Sequence, residues 1–443
     1  MSPPEALTAP LAELIAIPSI SADSTHGDDV LAAGEWVRDR IRTAGGEAEI
    51  VRQGGKPLVI GEIRASRDAD AAPTVLCYGH FDVQPPDPLD LWESEPFSLT
   101  ERDGWLYGRG IADDKGQLFM LLEAAARLAA VGELPINVRF TCDGEEETGG
   151  HSIVDYLEAD ERGADAAIVF DSGMVKQGLP AINIAVRGMA YFHVEVRTGR
   201  RDLHSGVYGG SSLNAMHALM QALGGVVPRN GRVPEELRVG IAPVSAEESA
   251  GWATLPSGAE ELEAQGSTPT DDRAAEEFYL RTWAEPAIDV HGLAGGSPHL
   301  QKTVLPVHAV ANVSMRLAPG QKVEQVAPIF ERLLREAAPA GAEVDVQLWA
   351  SGPPAIISPD SPAIQLALDA FEHTVGTRPL LVRSGGSIPL VPALCARGIP
   401  TIVSGFALND SNIHSPNERL LAEYLPLGVD TAAELFRRLA ELR

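Results

Sequence analysis

Thr74-Val75-Leu76-Cys77-Tyr78-Gly79-His80-Phe81-Asp82 carries the strongest architectural signal in the chain. Residues 74–78 form a short apolar run bounded by Pro73 and Gly79, which reads as a buried strand. Just past its end come a histidine and an aspartate. The same arrangement recurs downstream. A strand-like run at 137–142 is followed by Gly144-Glu145-Glu146-Glu147, and one at 166–170 by Asp171-Ser172. A further run at 400–404 leads through a polar loop to Asn412-Ile413-His414. Helix-like stretches lie between these runs. Residues 30–44 end at Gly45-Gly46, and the Ala- and Leu-rich 117–131, preceded by Asp113-Asp114-Lys115-Gly116, stops at Gly132. Strands alternating with helices predict an α/β domain with a mostly parallel sheet sandwiched by helices. In such a sheet, functional residues gather beyond the carboxyl ends of the strands.

The pattern changes near Asn183. Residues 184–198 form a long, partly alternating run, more like an antiparallel strand. A helix is expected over 212–223. A Pro-, Gly-, Glu- and Ser-rich stretch occupies 228–300, with a helix-like piece at 272–283. Then follow a strand at 309–317, a helix at 323–337 and a strand at 343–349. From Ser361 the first style returns: helix 361–375, strand 379–383, helix 387–396, strand 400–404 and a last helix over 425–442. The expected organisation is a catalytic α/β domain in two pieces, 1–183 and 357–443, with an α+β domain inserted at 184–356.

Composition narrows the function. The 443 residues carry a formal net charge of −27, which disfavours nucleic acid and anionic membranes as partners. Hydrophobic residues make up 44%, ample for a core, so wholesale disorder is excluded. No apolar run reaches the length of a membrane span. Residues 1–20 lack a basic start, and Pro10 and Glu13 interrupt their apolar stretch, so they do not read as a secretory signal. Cys77, Cys142 and Cys395 are odd in number and widely spaced, which reads as reduced thiols in a cytoplasmic protein.

His80, Asp113, Glu147, Asp171 and His414 together offer imidazole and carboxylate donors suited to two adjacent divalent ions, zinc or a similar metal such as manganese. Three carboxylates leave two such ions with one net positive charge, which a hydroxide neutralises. Glu146 is then a spare carboxylate beside metal-activated water, as a general base requires. Asp82, two residues past His80, is placed to accept the other imidazole N–H and fix its tautomer. Each piece alone has a plainer reading: a surface loop for His-x-Asp, a solvated turn for the glutamates, a helix N-cap for Asp113-Asp114. The combination is the signal, and it points to hydrolysis.

At these residues the chain resembles the metal-dependent exopeptidase and deacylase family, and most of all its carnosinase and cytosolic dipeptidase branch. The matches are YGHFDVQP (78–85), GRGIADDKG (108–116), EEETGG (145–150), RDLHSGVYGG (201–210), GGSIP (385–389) and HSPNE (414–418). The resemblance implies that His80, Asp113 and Asp171 bind one metal and Asp113, Glu147 and His414 the other. It further implies that Glu146 is the base and that Asp82 supports His80. A cis peptide is implied after Asp113. It also implies a homodimer whose inserted domain serves as lid and dimer contact. His204 would reach the neighbouring subunit's site and steady the substrate carbonyl oxygen. Arg316, with Thr303 and Ser387, would hold the C-terminal carboxylate of a small peptide. The chain departs from many relatives at Gly150, where they have serine, and in the loop 409–413. Two other readings stay open: an N-acyl amino acid deacylase or carboxypeptidase with the same metal site, and a non-catalytic metal- or peptide-binding protein. The first is separated by substrate, while the presence of Glu146 and all five donor positions argues against the second.

Overall fold

The computed structural model describes residues 2–52, 54–386 and 388–442. They group into two compact units: Met1–Ile184, Ile357–Val382 and Ala393–Arg443 form the first, and Ala185–Ile356 with Arg383–Pro392 the second.

The first unit is built on a sheet that runs, in spatial order, Glu47–Arg52, Pro57–Ile63, Asn137–Asp143, Thr74–His80, Ala166–Phe170, Thr401–Ser404 and Ala181–Val186. Its centre is parallel. Thr74–His80 pairs in parallel with both Asn137–Asp143 and Ala166–Phe170, and the latter pairs in parallel with Thr401–Ser404. The margins are antiparallel, through Pro57–Ile63 on one side and Ala181–Val186 on the other. Every residue of Asn137–Asp143 and of Ala166–Phe170 is buried, as a sheet covered on both faces demands. The helix Lys115–Ala130 packs on the central strands and against the C-terminal helix Tyr424–Leu439, which also packs on Pro362–Val375. Phe170, Phe371 and Phe406 form an aromatic cluster under the sheet, with ring centroids 5.6–6.2 Å apart. Cys77 and Cys142 are buried free thiols in neighbouring strands, and Cys395 is also free. Among the described residues no helix is long and apolar enough to cross a membrane.

The second unit is a four-stranded antiparallel sheet, ordered Ala287–Ala294, His308–Leu317, Gly188–Arg197 and Glu343–Gly352. Gly188–Arg197 alternates buried and half-buried residues along its length. Its buried side chains Phe192, Val194 and Val196 meet the helices Ala215–Leu223 and Val323–Ala337, with Phe192 stacked on Phe330 at 4.2 Å. The opposite face carries polar and aromatic side chains, among them His193 stacked on Trp349.

Two local expectations differ from the structure. The run 184–198 is not one strand. The chain breaks at Arg187, and the fully buried Ala181–Val186 lies in the first sheet while the alternating Gly188–Arg197 lies in the second. The change from continuous to alternating burial marks that break. The helix expected over 272–283 is instead a series of turns ending in a wide-turn π-helix, Leu280–Ala284. There Arg281 grips Asp271 and Glu277, so ion pairs rather than a repeating apolar face organise the segment.

Candidate metal centre

The four parallel strands at the centre of the first sheet are neighbours, and each ends in a segment that carries candidate metal-ligating side chains. His80 closes Thr74–His80, and Asp82 lies two residues on. Glu146 and Glu147 occupy the single turn Glu146–Thr148 after Asn137–Asp143, and Asp171 follows Ala166–Phe170. His414 sits in the loop after Thr401–Ser404, in the left-handed backbone region at φ 60°, with Asn412 and Asn417 in the same region at 55° and 61°. Three such residues in one short loop mark a backbone held by its surroundings. Asp113 precedes the helix Lys115–Ala130, and the Asp113–Asp114 peptide is cis.

These segments bring the donors together. Nε2 of His80 lies 2.9 Å from Oδ1 of Asp113 and 3.9 Å from Oδ1 of Asp171. Nε2 of His414 lies 3.0 Å from Oδ2 of Asp113 and 3.1 Å from Oε2 of Glu147. Donors around a tetrahedral zinc ion stand about 3.3 Å apart, so these separations fit shared coordination. The mixed imidazole and carboxylate chemistry fits the same class of ion. His80, Asp113 and Glu147 alone place three donor atoms within 4.8 Å of one another. His80 is fully buried, whereas the His414 side chain is 52% exposed, so the cluster opens to solvent on the His414 side.

The flanking residues hold this arrangement. Nδ1 of His80 is 3.1 Å from the main-chain oxygen of Asp82 and 3.4 Å from its Oδ1. The imidazole N–H that the Asp82 carboxylate is expected to accept thus faces mainly the Asp82 carbonyl. Oδ2 of Asp82 accepts the Glu147 N–H, and Oδ1 is buried without a hydrogen bond. Gln84 is a residue that sequence reasoning missed: its Nε2 donates to Oε2 of Glu147 at 2.8 Å and to the Glu147 carbonyl. The signal was present in YGHFDVQP, where Gln84 follows Asp82 by two residues in an extended segment.

The acidic neighbours that do not face the cluster have structural partners. Asp114 accepts the His80 N–H through Oδ2. Glu145 accepts the N–H groups of Lys56 and Ser152. A Cβ on Gly150 would stand 2.1 Å from the Glu145 carboxyl carbon, so the glycine leaves room for Glu145 where serine would collide.

Electrostatics describe a site made for cations. Burial lifts Asp171 well above the usual carboxylate range; His80 opposes this, while Asp113, Glu146 and Glu147 add to it. Burial also works against charge on His80, but hydrogen bonds to Asp113 and Asp82 outweigh it and raise the imidazole well above its ordinary value. Burial opposes ionisation of Asp113 too, yet hydrogen bonds from His414 and His80 hold it well below the carboxylate range. Hydrogen bonds to Asp113 and Glu147 raise His414 to about 10. The carboxylates thus favour positive charge at both imidazoles, and a divalent ion would compete with protons for the same donors. Burial raises Glu146; His80 opposes the shift and the charges of Glu147, Asp113 and Asp82 reinforce it, in the direction that suits a proton carrier near neutrality.

The remaining predicted residues lie in the second unit. His204 ends the short strand Leu203–His204, which pairs with Val304–Leu305, and its Nδ1 accepts the Gly206 N–H. The carbonyl of Thr303 accepts both the N–H and the hydroxyl of Ser205. Arg316 lies opposite Ala287 and Met189 in the four-stranded sheet. Close to it electrostatically, Arg187 is lowered to about 10 by burial and then by the Arg316 charge. Ser387 lies outside the described residues.

Comparison with known proteins gives a consistent result. The model of peptidase family M20/M25/M40 matches residues 76–438. The human Beta-Ala-His dipeptidase is 29% identical over 402 residues, 87% of this chain and 78% of the human one. The cysteinylglycine-S-conjugate dipeptidase of Corynebacterium striatum is 29% identical over 423 residues, 92% of this chain and 90% of its own. Among solved structures, an M20-family metallo-carboxypeptidase from Sulfolobus solfataricus superposes with a TM-score of 0.84 at 26% identity, covering 98% of this chain and 99% of that one.

Proposed function

From the premise that the chain belongs to peptidase family M20/M25/M40 and is a metallopeptidase of the carnosinase and cytosolic dipeptidase branch, we propose that it hydrolyses dipeptides or similar short substrates with a free C-terminal carboxylate. The observation that carries the proposal is the position of Asp113, whose two oxygens face the two imidazoles His80 and His414.

The residues would hold two divalent ions, Zn²⁺ in the first instance and Mn²⁺ as the other fitting choice. His80, Asp113 and Asp171 take one, and Asp113, Glu147 and His414 the other. When bound, such a pair supplies a nucleophilic water at neutral pH and polarises the scissile carbonyl. Glu146 accepts the proton of the attacking water and passes it to the nitrogen of the leaving amine. Its raised affinity for protons supports the first half of that transfer, the uptake from water. Asp82 and Gln84 keep His80 and Glu147 in register through the contacts described.

In the same proposal, His204 of a homodimer partner donates to the carbonyl oxygen as negative charge develops there, a contribution of about 3–4 kcal/mol for a well-placed donor. Arg316 grips the substrate carboxylate as a planar, two-pronged donor, with Thr303 and Ser387 as smaller polar contacts. The three free thiols accord with the cytoplasmic setting that belongs to the proposal.

The likeness to the Sulfolobus metallo-carboxypeptidase favours a second reading, release of C-terminal residues from longer peptides. A panel of unblocked dipeptides, longer peptides, and N-acetyl and N-succinyl amino acids separates the possibilities. The proposal expects dipeptides to be turned over with the highest kcat/KM. Turnover of acylated amino acids alone would reject it.

A further inference from the structure

Four residues after His414 stands Glu418, fully buried in the first unit and paired with the equally buried Arg109. Its carboxylate has no metal-facing role, yet both oxygens are fully used. Oε2 accepts Nη1 of Arg109 at 2.7 Å and the Gly110 N–H at 3.0 Å. Oε1 accepts the N–H groups of Ala112 and Asp113 at 2.9 and 3.1 Å. The loop that presents Asp113 is therefore hung, through the three main-chain donors of Gly110, Ala112 and Asp113, on one side chain of the loop that presents His414. Arg109 extends the connection. Its Nη2 donates to the carbonyl of Pro85, in the segment that carries His80, Asp82 and Gln84. The Gly108 N–H returns a bond to the Glu418 carbonyl.

We propose that the Arg109–Glu418 pair is the positioning device of the metal centre: it sets the distance between the Asp113 and His414 loops and so governs how tightly the His414-side ion is held. The inference rests on the two-metal reading above. Three features support a positioning role beyond general stabilisation. The donors captured by Glu418 include the backbone N–H of the shared ligand Asp113. His414, Asn412 and Asn417 all sit in the left-handed backbone region, and Glu418 follows directly after the last of them. The pair is also out of water, where a carboxylate with four donors is rigid and a missing donor or charge is costly.

Glu418→Gln keeps the shape and removes the charge. The test is chelator-competition titration of the metal-free protein with Zn²⁺ and with Mn²⁺, alongside circular dichroism and thermal melts of the metal-free form. Wild type should bind two ions. Glu418→Gln should keep its metal-free fold, bind the first ion nearly as before, and bind the second about 10- to 100-fold more weakly. Turnover should return as free metal is raised. Wild-type affinity at both sites in a folded Glu418→Gln would overturn the proposal. Should that variant not fold, Arg109→Lys decides: it keeps the charge but loses the fork to Pro85, and it should weaken the second ion several-fold, whereas unchanged binding would refute the positioning role. A wild-type chain that binds fewer than two ions would instead refute the two-metal reading itself.

Discussion

Oδ2 of Asp113 lies 3.0 Å from Nε2 of His414, while Oδ1 of the same carboxylate faces His80 at 2.9 Å. One carboxylate thus addresses two imidazoles through separate oxygens, the arrangement expected of a group shared between two ions. The two sides are unequal. His80 is fully buried at the end of a central strand, and His414 is half open to water.

That inequality predicts the order of metal loss. On slow titration with a chelator, the ion on the His414 side should leave first, with activity falling in step. His414→Ala should retain one ion and lose most turnover, while His80→Ala should impair binding of the inner ion. Metal analysis of dialysed protein checks each stoichiometry.

Metal removal should also expose a pH dependence. In the metal-free fold His414 titrates at about 10, against an ordinary value of 6.5, because Asp113 and Glu147 hold its proton. A folded value above the unfolded one means that the stabilisation is fully present below pH 6.5 and is lost as pH rises through about 10. Urea midpoints of the metal-free protein should therefore fall across that window. His414→Asn should show a smaller fall. A wild-type curve no steeper than that of the variant would contradict the assignment.

Gln84 should matter through Glu147. Gln84→Met keeps the length of the side chain and removes the 2.8 Å hydrogen bond to Oε2. Support of this kind is worth about 10- to 100-fold in metal affinity or activity. The expected result is weaker metal binding with an unchanged melting temperature of the metal-free form.

In the second unit the stacked pair Phe192 and Phe330 joins the sheet to the helix Val323–Ala337. Both are buried in the core of that unit. Phe330→Ala should cost about 3–5 kcal/mol by leaving a cavity. Denaturant unfolding followed by a probe in that unit measures it.

Much of this was legible in the chain. The strand Thr74–His80 is readable because burial on both faces leaves a continuous apolar run, and the candidate donor His80 closes it. What escaped lies in contacts across long sequence separations and in changes of period. Asp113 and Glu418 are 305 residues apart, and no local pattern links a buried glutamate in HSPNE to the backbone of GRGIADD. The break at Arg187 is hidden because strand-forming residues run on through it, and the two strands differ in whether one face or both are covered. The marginal hairpin of Glu47–Arg52 with Pro57–Ile63 starts from a strand whose charged, half-exposed residues resemble a loop. The substrate end of the proposal remains with His204, Arg316, Thr303 and Ser387, each of which stands on family resemblance.

Glu146→Gln tests the central claim most directly, with bound metal counted and kcat measured on the same preparation. The account predicts two divalent ions per chain, as in wild type, with kcat for a dipeptide reduced about 10²- to 10⁴-fold by loss of the base. Turnover near the wild-type rate with both ions bound would contradict it.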